Sequence, residues 1–233
     1  MRVVKVGAGL LAAGLVAGAQ ADVVTLSQNF DNFAGLQAAG WVFANNSADP
    51  NLSWFAGNSG IFAAQAGAAD SYAAANFNST NSATGMIDNW LISPMFTLGT
   101  SPTLDFYTQG ANNGFFDMLE VRYSSGASSA VSTFTTLLAT IGNGFSQQYP
   151  TGGWAHYSLT LPTDAAGRIG FRYVASDASN ADYIGIDTVS ASAISVTSPV
   201  PEPGMLALTA LGLAAVAGAA RRRKPSVSAP SAA

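Results

Sequence analysis

The chain has 233 residues, 48% hydrophobic and 9% charged, with one histidine, no cysteine and a formal net charge of −4. Without cysteine, disulfides, thiolate metal sites and thiol catalysis are excluded. Between residues 22 and 198 there are three arginines (Arg122, Arg168, Arg172), no lysine and twelve acids, a balance of −9 that excludes a nucleic-acid partner.

At the amino terminus Arg2 and Lys5 precede an apolar stretch over residues 6–17 and then Ala19-Gln20-Ala21. Ala19 and Ala21 form the small-x-small pattern of a signal-peptide cleavage site, so residues 1–21 are read as a signal peptide removed before Asp22. The apolar core is too short for a comfortable membrane span. Residues 22–198 then form a single domain, long enough for a real core.

Within that domain the Ala-rich stretch 62–75 shows no 3.6-residue stripe and is interrupted by Gly67, which favours strand and loop over helix. Four later stretches alternate strictly. Leu104, Phe106 and Thr108 share one parity against Asp105 and Tyr107, and Leu119, Val121 and Tyr123 share one against Glu120 and Arg122. The same holds for Tyr157, Leu159 and Leu161 against His156, Ser158 and Thr160, and for Ile169, Phe171 and Tyr173 against Arg168, Gly170 and Arg172. Strands with one wet face predict two packed antiparallel sheets, an all-β sandwich of jelly-roll type. Gly142-Asn143-Gly144 and Gly152-Gly153 supply turn chemistry between strands.

Catalytic constellations are sparse. His156 and Ser158 lie two positions apart on one strand face, roughly 6–7 Å, too far for a direct hydrogen bond, so His156 is read as solvent-facing. The Gly57–Gly60 stretch GNSG lacks a placed partner and reads as a turn. Glu120 and Arg122 share the wet face and read as a surface ion pair. Neither a phosphate-cradling loop nor a dinucleotide fingerprint is present, and nothing points to an organic cofactor.

Two binding chemistries remain. Asp31 early in the domain, with Asp177, Asp182 and Asp187 near its end, supplies the hard oxygen ligands that calcium selects, although no EF-hand spacing occurs. The alternative is solvated turn aspartates. Of the tryptophans, Trp41, Trp90 and Trp154 read as core residues, whereas Trp54 in NLSWFAGN is the one expected to be exposed and available to a ligand.

Beyond the domain come Pro201-Glu202-Pro203, an uncharged apolar run over residues 204–220, then Arg221, Arg222, Arg223 and Lys224, with a short polar tail at 225–233. As a helix the run reaches about 26 Å, enough to cross a bilayer, and the basic cluster would stop transfer and orient it with the domain outside. A permanent anchor and a removable address label both fit this pattern.

This order, Pro-Glu-Pro, apolar run and basic cluster over residues 199–224, resembles the PEP-CTERM sorting signal of Gram-negative bacteria. That resemblance implies export by the Sec machinery, cleavage near the triplet by an exosortase, and association with exopolysaccharide production and biofilm. The domain resembles the choice-of-anchor J and cleaved-adhesin group. The residues that carry this are Phe30-Asp31, Gly40-Trp41, DNWLISPMFTL (88–98), LDFYT (104–108), DMLEVRYS (117–124), WAHYSLTLP (154–162), GRIGFRYVAS (167–176) and IGIDTVS (184–190). It implies a surface-displayed binding module with a polysaccharide or surface-protein ligand and no catalysis. Two other classes compete: a carbohydrate-active hydrolase using an Asp pair, and a purely structural matrix protein held as a membrane-anchored ectodomain.

Overall fold

Long-range strand pairing organises the chain. The structure, a computed structural model, describes residues 22–146, 148–164 and 166–194. The predicted signal peptide with Ala19 and Ala21, the sorting triplet, the 204–220 run and the basic cluster lie outside the described residues. Among the described residues no helix is long and apolar enough to cross a membrane.

Among the described residues twelve strands follow in order: β1 (Asp22–Gln28), β2 (Val42–Asn45), β3 (Phe55–Ala56), β4 (Ala73–Asn76), β5 (Ile87–Ile92), β6 (Phe96–Thr97), β7 (Thr100–Gly110), β8 (Met118–Ser125), β9 (Thr136–Gly142), β10 (Ala155–Thr160), β11 (Ala166–Ala175) and β12 (Tyr183–Ile194). They form two six-stranded sheets in which every pairing is antiparallel. One runs β10-β7-β12-β4-β3 with β1 also on β12; the other runs β2-β5-β11-β8-β9 with β6 also on β11. This is the expected jelly-roll type of sandwich. The four alternating stretches are β7, β8, β10 and β11, and the Ala-rich stretch is loop and β4.

Parity sets the core. Leu104 and Phe106 of one sheet face Leu119, Val121, Ile169, Phe171 and Tyr173 of the other, all buried in one cluster. The ring of Phe106 meets Phe171 edge-on across the sandwich at 5.3 Å and stacks on Tyr157 within its own sheet at 5.5 Å. Burying each such ring contributes about 1.5–3 kcal/mol.

The outer faces are handled differently. On the second sheet Glu120 and Arg122 do pair, at 2.7 Å, and Arg172 joins them, 2.9 Å from Glu120 and 2.6 Å from Asp88. Arg172 also lies over Trp90, 5.2 Å from its ring centroid. On the first sheet the segment between β3 and β4 folds back over the outer face, stacking Phe62 on Tyr72 and setting both against Tyr183 and Trp154. Gly185 permits this cover, since a Cβ there would sit 2.8 Å from Tyr72 and 3.0 Å from Phe62. Ala73, Ala74 and Ala75 are consequently buried on both faces, and β4 carries no polar alternation.

Candidate functional site

Each sheet has a long central strand whose neighbour on one side is split in two. On β12 the residues up to Ile186 pair with β4, and those from Val189 pair with β1. Asp187 and Thr188 fall in the gap between the two partners, at a register shift of β12 against β7. There Thr188 takes φ 49°, Phe30 just past β1 takes φ 56°, and Gly67 in the covering loop takes φ 82°. Two left-handed non-glycine residues around one gap mark a place where the surrounding structure outweighs backbone preference.

The gap is acidic and lined with oxygen. Asp187 is fully buried; its Oδ2 accepts from the backbone N–H of Gln65 (2.9 Å) and Ala66 (3.2 Å), and its Oδ1 from that of Thr188 (2.6 Å). Burial pushes its carboxyl above the ordinary range; the three N–H groups oppose that shift and the nearby charge of Asp31 adds to it. A Cβ on Gly67 would lie 2.5 Å from Asp31 Oδ1 and 2.6 Å from Ser71 Oγ, so these two oxygens converge over the space that glycine leaves open. Gln65 Oε1 accepts from Thr188 Oγ1 at 2.7 Å. The chain thus brings together two of the four predicted calcium ligands, Asp31 and Asp187, with Gln65 and Ser71 added by the covering loop. This all-oxygen set fits a hard cation. Among the described residues no three acidic or histidine side chains gather, so neutral oxygens would have to complete a site.

Asp177 and Asp182 stand elsewhere. Asp177 caps the short 3-10 turn Ala178–Asn180, accepting from Ser179 N at 2.8 Å and Ser179 Oγ at 2.7 Å, which holds its carboxyl low. Asp182 accepts from Asn113 Nδ2 at 2.7 Å and donates its backbone N–H to Asp117 Oδ1 at 2.9 Å. Asp117, 2% exposed, also accepts from the Tyr173 hydroxyl at 2.6 Å. Burial pushes Asp117 up from 3.8 to about 6, against the two hydrogen bonds and with the help of Asp182's charge. Sequence reasoning missed Asp117, although it stands one residue before β8, two before the inward-facing Leu119 and in step with its parity.

Beside this pair opens a cleft of about 400 Å³. Its walls are the 77–83 segment, Phe115 and residues 178–182, with Phe77 (45% exposed) and Phe115 (43% exposed) on its lining and Asp182 as its carboxylate. Backbone bonds from Phe77 N to Asp182 O (2.9 Å) and from Phe116 N to Asn180 O (2.7 Å) tie both walls to the floor.

The expectation of an exposed Trp54 is corrected. Trp54 is 3% exposed, and its indole N–H donates to the Asn89 carbonyl at 3.2 Å. The polar residues around it point inward instead, since Asn45 and Asn89 both donate to Leu52 O and fold the segment against β5. Trp41 and Trp90 are buried as expected, while Trp154 is half-buried, donating to Ala63 O at 2.8 Å. His156 is on the exposed face of β10, 3.1 Å from Asp105, with Ser158 one pleat further along the same face.

Comparison with known proteins adds three findings. A sequence model of the PEP-CTERM protein-sorting motif matches residues 199–224. No curated protein matches the chain at a significant level. Among solved structures, the K1 cleaved adhesin domain of Lys-gingipain from Porphyromonas gingivalis W83 superposes with a TM-score of 0.57 at 23% identity, covering 73% of this chain and 99% of that domain. The K3 domain of the same protein gives 0.55 at 21% identity, covering 74% and 99%, and the K2 domain 0.52 at 19%, covering 73% and 98%. At these identities the likeness is one of fold. The chain therefore carries a PEP-CTERM sorting motif behind a β-sandwich with the fold of cleaved adhesin domains.

Proposed function

We propose that this chain is an exported binding module of a Gram-negative bacterium, carried by the Sec machinery, sorted and trimmed by an exosortase, and active at the cell surface or in the extracellular matrix, in association with exopolysaccharide and biofilm. Its ligand is a polysaccharide or a surface protein, and it performs no catalysis. The observation that carries this reading is the sorting motif directly behind an adhesin-like sandwich with an open, mixed apolar and polar cleft. Glycosidases set two carboxylates across their substrate. Here Asp182 alone among the cleft-lining residues is acidic, and Asp117 is held beneath by Tyr173 and Asp182.

Structural calcium belongs to the same reading. Asp31 and Asp187, with Ser71 and Gln65, would hold the ion and so clamp the covering loop to the gap beside β12. Calcium there would screen the repulsion between the two carboxylates and supply no chemistry of its own.

A glycan array run beside a reducing-sugar assay on the same polysaccharides tests the function. Selective binding without release of reducing ends is the expected result. Release of reducing ends overturns the reading in favour of a hydrolase, and neither binding nor release leaves a structural matrix protein.

A further inference from the structure

We propose that the cleft between the 77–83 segment, Phe115 and residues 178–182 is a saccharide subsite that takes uncharged glycans and rejects acidic ones. This deepens, and rests on, the reading of the chain as a binding module.

Three observations converge on the cleft. The first is its lining. Phe77 and Phe115 are both nearly half exposed and flank one recess, whose other walls carry Asn78, Asn81, Ser82 and Asp182. A pyranose ring has the matching chemistry, with apolar C–H faces to lie on a phenyl ring and equatorial hydroxyls to reach amides, hydroxyls and a carboxylate at its edge. The volume of about 400 Å³ falls within the ~300–1,000 Å³ of small-molecule sites.

The second is rigidity. Asp182 is fixed from three sides: its carbonyl accepts from Phe77 N (2.9 Å), its N–H donates to Asp117 (2.9 Å), and its carboxylate accepts from Asn113 (2.7 Å). Next to it Ala111 N donates to Tyr183 O at 2.9 Å. A floor held this way loses little freedom when a ligand arrives.

The third is charge, which sets the class of glycan. All three arginines of the domain are engaged elsewhere: Arg122 with Glu120, Arg172 with Asp88 and Glu120, and Arg168 with the carbonyls of Ala127 and Ser93. None lines the cleft, Asp182 does, and the domain around it carries a balance of −9. A uronate or sulfate polymer would find no cation there and would meet the repulsion of Asp182 and of the acidic domain around it.

The test is affinity electrophoresis of the intact domain through gels containing neutral polysaccharides (galactomannan, dextran, β-1,3-glucan) or acidic ones (alginate, hyaluronate). Retardation by at least one neutral polymer and by neither acidic polymer is expected. Phe77→Ala and Phe115→Ala should each weaken that retardation about tenfold, at melting temperatures close to the parent's because both rings are half exposed. Neutral retardation that survives both substitutions overturns the site while leaving the module reading intact. Retardation by alginate or hyaluronate alone overturns the glycan class, and retardation by no polymer overturns the subsite together with the polysaccharide part of that reading.

Discussion

Asp187→Ala is expected to lower the melting temperature by roughly 6–12 °C and to abolish any response to calcium. The substitution strands three backbone donors, Gln65 N, Ala66 N and Thr188 N, at a fully buried position. Each unsatisfied donor costs about 1–3 kcal/mol, and relaxation of the covering loop leaves a net loss of about 3 kcal/mol. The left-handed backbone at Thr188 would remain without the carboxylate that accepts from its N–H. In the parent protein a chelator should lower the melting temperature and added Ca²⁺ restore it. Asp31→Asn separates the two effects. Asp31 is exposed and accepts from Asn29 Nδ2, so its loss should leave the calcium-free melt nearly unchanged and remove the calcium response. A parent melt indifferent to chelator contradicts the calcium proposal; an Asp187→Ala melt equal to the parent's contradicts the structural role of the gap.

The second large effect is on the pH dependence of stability, through Asp117. Its folded value of about 6 exceeds its ordinary 3.8, so the native state holds the proton more tightly than the unfolded chain. The stability it contributes is fully present below pH 3.8 and is lost as pH rises through about 6. Tyr173, Asp182 and Tyr149 are the titratable groups that face it. Glu120 acts in the opposite sense: burial pushes it up, but Arg122 and Arg172 outweigh this and hold it low, so its contribution is lost on acidification. Asp117→Asn keeps an oxygen to accept from Tyr173 and from Asp182 N–H while removing the charge. Relative to the parent, this variant should gain on the order of 2 kcal/mol between pH 4 and pH 7, read by urea denaturation at both. A difference that stays constant across that range would show that Asp117 does not titrate between the folded and unfolded values.

The parts of this fold that face water on one side were legible in the sequence. β7, β8, β10 and β11 each have an apolar inner face and a polar outer one, and their alternation survives intact. β4 was less legible because the covering loop buries its outer face and its sequence is three alanines and an asparagine. The same loop accounts for half of the candidate cation site. Asp31 and Asp187 stood out as acids near the two ends of the domain, and pairing of β1 with β12 brings those ends together. Gln65, Gly67 and Ser71 reach them only through packing of Phe62 and Tyr72 on Tyr183, contacts far apart in sequence. Asp177 and Asp182 resembled Asp187 in composition and position but serve a turn cap and a hydrogen-bond pair. Trp54 has polar flanks that suggest exposure, whereas Asn45 and Asn89 spend their amides on binding that segment to the sandwich. Asp117 carried a readable signal, an acid just before a strand and in step with its inward parity.

An exported and trimmed binding module requires that the sandwich be delivered outside the cell and separated from the segment behind it. The intact mass of the protein recovered outside the producing cells tests this most directly, since it reports both ends and any attached glycan together. A polypeptide that begins at Asp22 and ends near Pro201–Pro203 is predicted. A mature species that still contains Arg221 would contradict it and make residues 204–220 a permanent anchor.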